Sequence, residues 1–182
     1  TAWASAYLKT YHEVVETGQD PDSIFFSPAF IFNQIKAGSC DIGSDIVDAL
    51  NLLSEQGDVP NSMFPYDPND CDRQPTDGMK EQAEPFRIAS WRRANTKDAT
   101  EIKRHLANAT PVLIAFETDS TFLDLGTEVY RIPSGDDTGL HAMIVVGYDN
   151  ARSAFKVINS WGTSWGENGY GWIDYDAFTI KT

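Results

Sequence analysis

Three histidines and two cysteines are the side chains of this 182-residue sequence best suited to move a proton or attack a carbonyl near neutral pH. His141 is set apart by its surroundings. It sits in Gly139-Leu140-His141-Ala142-Met143-Ile144-Val145-Val146-Gly147-Tyr148, an apolar run bracketed by glycines. A second marked segment follows, Ile158-Asn159-Ser160-Trp161-Gly162-Thr163-Ser164-Trp165-Gly166-Glu167-Asn168-Gly169-Tyr170-Gly171. His12 and His105 have no such context and read as solvated helix residues. Cys40 and Cys71 form no Cys-x-x-Cys pair, and no His-x-x-x-His spacing accompanies them, so no zinc site is expected.

Other chemistries fit less well. Gly162, Gly166, Gly169 and Gly171 lack the Gly-Lys-Ser/Thr ending and following helix of a phosphate loop, and read as turn positions. Asp67, Asn69, Asp70 and Asp72 have neither the central glycine nor the terminal glutamate of a calcium loop. Asn108-Ala109-Thr110 matches a glycosylation acceptor but is followed by Pro111 and carries little weight. Lys and Arg number 14 against 27 Asp and Glu, a net charge of −13, and no basic patch stands out for nucleic acid or an anionic membrane. No apolar stretch approaches the roughly 20 residues of a membrane span. No metal or cofactor is called for.

The His141 and Asn159 segments, in this order and at this spacing, resemble the histidine and asparagine signatures of the papain family of cysteine peptidases. The Asn-Ser-Trp-Gly run leading into Trp-Gly-Glu-Asn-Gly-Tyr is the highly specific one. Residues 27–34, then Gly38-Ser39-Cys40-Asp41-Ile42-Gly43-Ser44, then Phe64-Pro65-Tyr66, resemble successive landmarks of the family's helical half. The resemblance thus covers essentially the whole chain. It implies an α+β fold of two domains, one helical and one β-barrel-like, with the active-site cleft between them.

The resemblance also implies peptide-bond hydrolysis through a Cys-His-Asn triad and a thioester. His141 would take the thiol proton and return it to the leaving amine. Asn159 would orient the imidazole, and Trp161 would shield that hydrogen bond from water. Gly43 and Ser44 resemble the loop that pairs with substrate backbone, and Leu140 and Ala142 would help line a side-chain pocket. The family's nucleophile lies near the mature N-terminus, roughly 130–150 residues before the His and Asn, a spacing given for this family itself. Two registers follow. Trp3 matches either the tryptophan after the cysteine, which puts Ala2 in the cysteine position, or the aromatic three places on. The second is favoured: it leaves small residues at Ala2 and Ala4, resembles a bacterial-type Cys-x-x-Trp-Ala opening, and sets the cysteine immediately before Thr1. An oxyanion-hole glutamine and an inhibitory pro-segment are then expected further upstream, and peptides or proteins are the expected substrates. The alternative is a catalytically inactive homologue that binds peptides or proteins without cleaving them. A transglutaminase-like acyl transfer fits the order of motifs poorly.

In the resemblance, Cys40 and Cys71 belong to different family disulfides. The usual partner of Cys71 corresponds to about Gln34, and that of Cys40 lies upstream of Thr1. A Cys40–Cys71 bridge and a bond from Cys40 to an upstream cysteine are both open, with the bridge slightly favoured. A secreted or otherwise extracytoplasmic protein would allow it.

The elements that must position these residues are legible in outline. Trp3, Tyr7, Tyr11, Val14 and Val15 recur at helical spacing before Gly18, with Ala2, Ala4 and Ala6 keeping the helix slim. Ser27-Pro28 opens a helix through Ile35, and Ser44 is expected to cap a third, with Ile46, Val47, Leu50 and Leu53 on one face. Residues 58–85, rich in Pro, Asp and Asn, predict a long irregular connection. That sets the expected domains at residues 1–85 and 86–182. The second half reads as strands at 86–91, 112–116, 142–148, 154–159 and 170–174, with a helix over 100–108 and a hairpin turn at 149–153. Helices then strands make an α+β arrangement.

Overall fold

Alanine sets how the first half packs. Ala2, Ala4 and Ala6 are buried along the first helix, α1 (Ala2–Thr17), which ends at Gly18 in the left-handed conformation. The computed structural model describes residues 1–131 and 134–182, and its internal contacts divide it into Thr1–Arg92 and Arg93–Thr182.

In the first unit, α1 is followed by α2 (Pro21–Ile24), α3 (Pro28–Ile35), α4 (Ile46–Glu55), α5 (Asp77–Ala83) and a 3-10 turn at Glu84–Phe86. Ser27 caps α3 through its hydroxyl, with Pro28 in the first turn, as the sequence predicts. Asp45, not Ser44, caps α4, because its carboxylate accepts the Val47 N–H at 2.6 Å. The buried stripe of α1 also differs from the expected one. Ser5, Lys9 and Thr10 join the alanines in the interior, while Trp3 and Tyr7 are half-buried against Phe25. Lys9 tolerates burial because Glu13 holds its ammonium at 2.6 Å and the Phe26 ring lies under it at 4.7 Å. His12 is half-buried with Tyr11 edge-on to it, so it is less solvated than its sequence context implies.

Residues 86–91, expected as a strand, instead return to the helical core. Phe86 and Ile88 pack on the cluster of Ala6, Phe26 and Leu53, the Ile88 N–H donates to the Leu53 carbonyl, and Trp91 Nε1 donates to Asn51. Those bonds tie residues 86–91 to the first unit, which runs to Arg92 rather than to the expected Pro85. The stretch expected to be irregular contains α5, capped by Thr76, and a disulfide joins Cys40 to Cys71 with Cα atoms 5.8 Å apart. Asp58 is fully buried; its Oδ1 accepts the Val59 N–H at 2.7 Å while Oδ2 has no partner. Burial pushes this carboxyl well above its usual range.

The second unit comprises α6 (Ala99–Ala107), β1 (Val112–Asp119), α7 (Ser120–Leu123), β2 (Val129–Tyr130), β3 (Asp137–Asp149), β4 (Ala154–Ile158), β5 (Tyr170–Asp174) and α8 (Tyr175–Lys181). Its sheet runs β1-β3-β4-β5-β2, antiparallel except for the parallel β2–β5 pair. Among the described residues the sheet is open; the expected barrel-like form does not close. The β3–β4 hairpin turns where predicted. One sheet face carries Ile114, Phe116, Met143, Val145, Val157 and Ile173 into a core completed by Ile102, Phe122, Ala177 and Phe178. His105 is half-buried 3.8 Å from Glu101. No helix among the described residues is long and apolar enough to cross a membrane.

Two outcomes follow from the first unit. Replacing both cysteines (Cys40→Ser with Cys71→Ser) removes a clip spanning 31 residues, and a loop of that size is worth about 3–4 kcal/mol in the chain-entropy model. The urea midpoint should drop accordingly, and peptide mapping without reductant should recover the cross-linked pair from the parent. Above pH 3.8 the unfolded Asp58 ionises while the folded one stays neutral, so it costs stability as pH rises toward its folded pKa. Asp58→Asn should therefore raise the unfolding midpoint at neutral pH, with the gain fading in acid.

Candidate active site

Strand pairing brings His141 and Asn159 together. In the β3–β4 ladder Ile144 faces Ile158, so Asn159, one residue beyond the end of β4, lies near Met143 and diagonal to His141. The Asn159 N–H donates to the Gly169 carbonyl at 3.0 Å, which fixes its backbone. Its side chain is buried, and Oδ1 lies 2.7 Å from His141 Nε2.

The tautomer follows from a second bond. The Ser160 N–H donates to the same Oδ1 at 2.7 Å, so that atom must be the amide oxygen and not the nitrogen. An amide oxygen accepts only, and His141 Nε2 must therefore carry a proton and donate it. Nδ1 is left with its lone pair. Burial holds the imidazole below its ordinary pKa, opposed in part by the Asn159 bond, which favours the charged ring. Such a group accepts a proton at Nδ1 and can later give it back. That is the equipment of a general base.

Trp161 lies over the pair, its ring centroid 4.5 Å from the imidazole with the planes tilted by 31°. It packs against Phe122 and Trp165, both in the core. Gly166 turns the chain after Trp165 with φ +58°, and a Cβ there would overlap the Tyr170 carbonyl oxygen. Alternation along β3 puts His141 on the face of Phe116 and Met143, and Leu140 and Ala142 on the other. Leu140 is 75% exposed and Ala142 is buried. Gly43 and Ser44 belong to the first unit, in the loop before α4; Gly43 is exposed, and the Ser44 carbonyl accepts from the Thr1 hydroxyl at 2.6 Å. The sequence reading gave no role to Asp119, Phe122, Tyr130 or Trp165, although Asp119-Ser120-Thr121 carries a helix-capping signal.

A family model described as papain family cysteine protease matches residues 7–180. The chain belongs to the papain family. A cysteine protease from Xylella fastidiosa, xylellain, superposes with a TM-score of 0.85 at 26% identity, covering 98% of this chain and 73% of that one. Bromelain from Ananas comosus shares the fold at TM-score 0.76 and 20% identity, over 99% of this chain and 81% of bromelain. An uncharacterized peptidase C1-like protein of Acanthamoeba polyphaga mimivirus is 27% identical over 93% of this chain and 59% of its own length. Cathepsin L of Sarcophaga peregrina is 38% identical over 40% of this chain and 23% of that protein. The papain-family chain thus spans 59% and 23% of these two curated relatives.

The His141 pKa gives a measurable sign. In the 182-residue chain its imidazole should titrate below 6.5 by NMR. Asn159→Ala removes the one bond that raises it and should lower the midpoint further. Because the folded value is depressed, the associated stability is present above 6.5 and is lost as pH falls through the folded pKa.

Proposed function

We propose that the protein is a cysteine peptidase that hydrolyses peptide bonds, with a nucleophilic cysteine immediately before Thr1, His141 as general base and acid, and Asn159 as orienter. The observation that carries this reading is the Nε2–H bond from His141 to Asn159 under the Trp161 ring, in a chain of the papain family. Cys40 and Cys71 spend both thiols on each other, so neither offers a nucleophile. A cysteine directly before Thr1 would stand at the N-terminus of α1, a 16-residue helix whose dipole favours a thiolate.

The steps then run as follows. His141 Nδ1 takes the thiol proton, and the sulfur attacks the scissile carbonyl carbon. The resulting imidazolium gives its proton to the departing amine as the C–N bond breaks, leaving a thioester. Water, losing a proton to the same nitrogen, attacks the thioester; the thiolate leaves and is reprotonated. Asn159 holds the ring in one tautomer throughout, and Trp161 keeps water from competing for that bond. Gly43, Ser44, Leu140 and Ala142 are assigned to substrate binding in this reading. The disulfide supports a secreted or otherwise extracytoplasmic setting, and an upstream inhibitory pro-segment would complete a zymogen.

The inactive-homologue reading differs at one residue. A vinyl-sulfone peptide applied to the full-length protein should give a single adduct, on a cysteine directly preceding Thr1. Any other residue at that place, with Ala2 encoded as alanine, means a binding protein instead. His141→Ala should lower turnover by about 10²–10⁴-fold, the usual range for a positioned base. Asn159→Ala should cost less, since it carries no proton. Turnover surviving His141→Ala would defeat the assignment.

A further inference from the structure

The ring that covers His141 is itself held from below. Trp161 meets Phe122 at 6.0 Å and 70°, and Trp165 at 5.6 Å and 90°. Both contacts depend on where the short α7 turn sits. Trp165 Nε1 donates to the Phe122 carbonyl at 3.1 Å, while the Phe122 N–H donates to Asp119 Oδ1 at 2.9 Å. The Thr121 hydroxyl donates to the same carboxylate oxygen at 2.7 Å. The other oxygen, Oδ2, accepts from the Tyr130 hydroxyl on β2. Asp119 is fully buried and Tyr130 nearly so. Burial opposes charge on Asp119, and the bonds from Tyr130, Thr121 and the Phe122 N–H outweigh it, holding the carboxyl below its ordinary pKa.

The rings close a circuit. Phe122 contacts Tyr130 at 5.2 Å and Phe116 at 5.0 Å, and Phe116 is the cross-strand partner of His141. His141 therefore leans on Trp161, Trp161 on Phe122, and Phe122 on the strand residue opposite His141. The one charged tie in this circuit is the carboxylate of Asp119, which joins α7 to β2.

We propose that Asp119 and Tyr130 are positioning residues for the His141–Asn159 dyad, acting by clamping α7 so that Phe122 and Trp165 hold Trp161 over the imidazole. The proposal rests on the peptidase reading for its consequence in turnover, but the shielding itself is independent of that reading. A clamp that only stabilised the fold would lower the unfolding midpoint and leave the dyad's solvent protection unchanged.

Tyr130→Phe in the full-length protein separates these outcomes, because it removes one hydroxyl and keeps the ring. The first readout is solvent exchange of the His141 Nε2 proton by NMR; the second is kcat and KM on a peptide substrate. The clamp predicts faster Nε2–H exchange and a kcat lower by roughly 10-fold at unchanged KM, within the loss a small misplacement of a catalytic group produces. Asp119→Asn, which keeps the oxygen that caps α7, should fall between the parent and Asp119→Ala. Phe155→Leu, placed elsewhere in the same core, serves as a variant destabilised without touching the clamp. If Tyr130→Phe matches Phe155→Leu in exchange rate and kcat, the proposal is overturned. If exchange quickens in a protein that cleaves no peptide, the clamp stands and the peptidase reading fails.

Discussion

The pairing of β3 with β4 is the constraint on which the dyad depends. Antiparallel strands fix neighbours to within one residue, and a slip by one would turn every side chain to the opposite face. With Ile144 against Ile158 and Val145 against Val157, His141 and Asn159 fall on a diagonal short enough for one hydrogen bond. The register then shifts between Val145 and Gly147, so the irregularity lies on the far side of that pairing from the dyad. β1 secures β3 from the other flank, with Phe116 opposite His141. Asn159 lies one residue beyond β4, and the bond from its N–H to the Gly169 carbonyl in the following loop completes its placement.

The two units solve stability in different ways. In Thr1–Arg92, helices approach through alanines, and some of the polar groups that end up inside are answered there: Thr10 accepts the Phe26 N–H, and Glu13 answers Lys9, whereas Asp58 Oδ2 is left without a partner. In Arg93–Thr182 aromatic and aliphatic side chains share the interior. Phe116, Phe122, Phe155 and Phe178 are fully buried in it, and the Trp165 indole N–H reaches a backbone carbonyl instead of being stranded. Aromatic rings carry large area in few side chains, which suits a sheet covered by short helices.

Legibility in the sequence followed the range of the interaction responsible. Ser27-Pro28, Gly18 and the 149–153 turn act within a few residues, and the elements they bound are those found. Asn159 and His141 were legible because a dense motif surrounds them, even though the bond between them is long-range. Residues 86–91 misled because alternating apolar side chains suit a strand, whereas Phe86 and Ile88 use theirs against α4 and the α1 cluster. β2, two residues long, has no periodicity to detect. The Asp119–Tyr130 bond leaves no local trace, since neither residue is unusual in its own segment. A strand face can be read from alternation, but a tie between the ends of two distant strands cannot.

The open sheet has a bearing on how the chain behaves among copies of itself. An unpaired strand edge is a row of free donors and acceptors that another chain can extend. One edge here is β2, with only two residues in the ladder and running parallel to β5, too short to template a neighbour. The opposite edge, β1, is longer, but it starts directly after Pro111, carries the charge of Glu117, and ends in an irregular register at Thr118 and Asp119. Both edges of the sheet among the described residues thus carry features that oppose continuation by another chain.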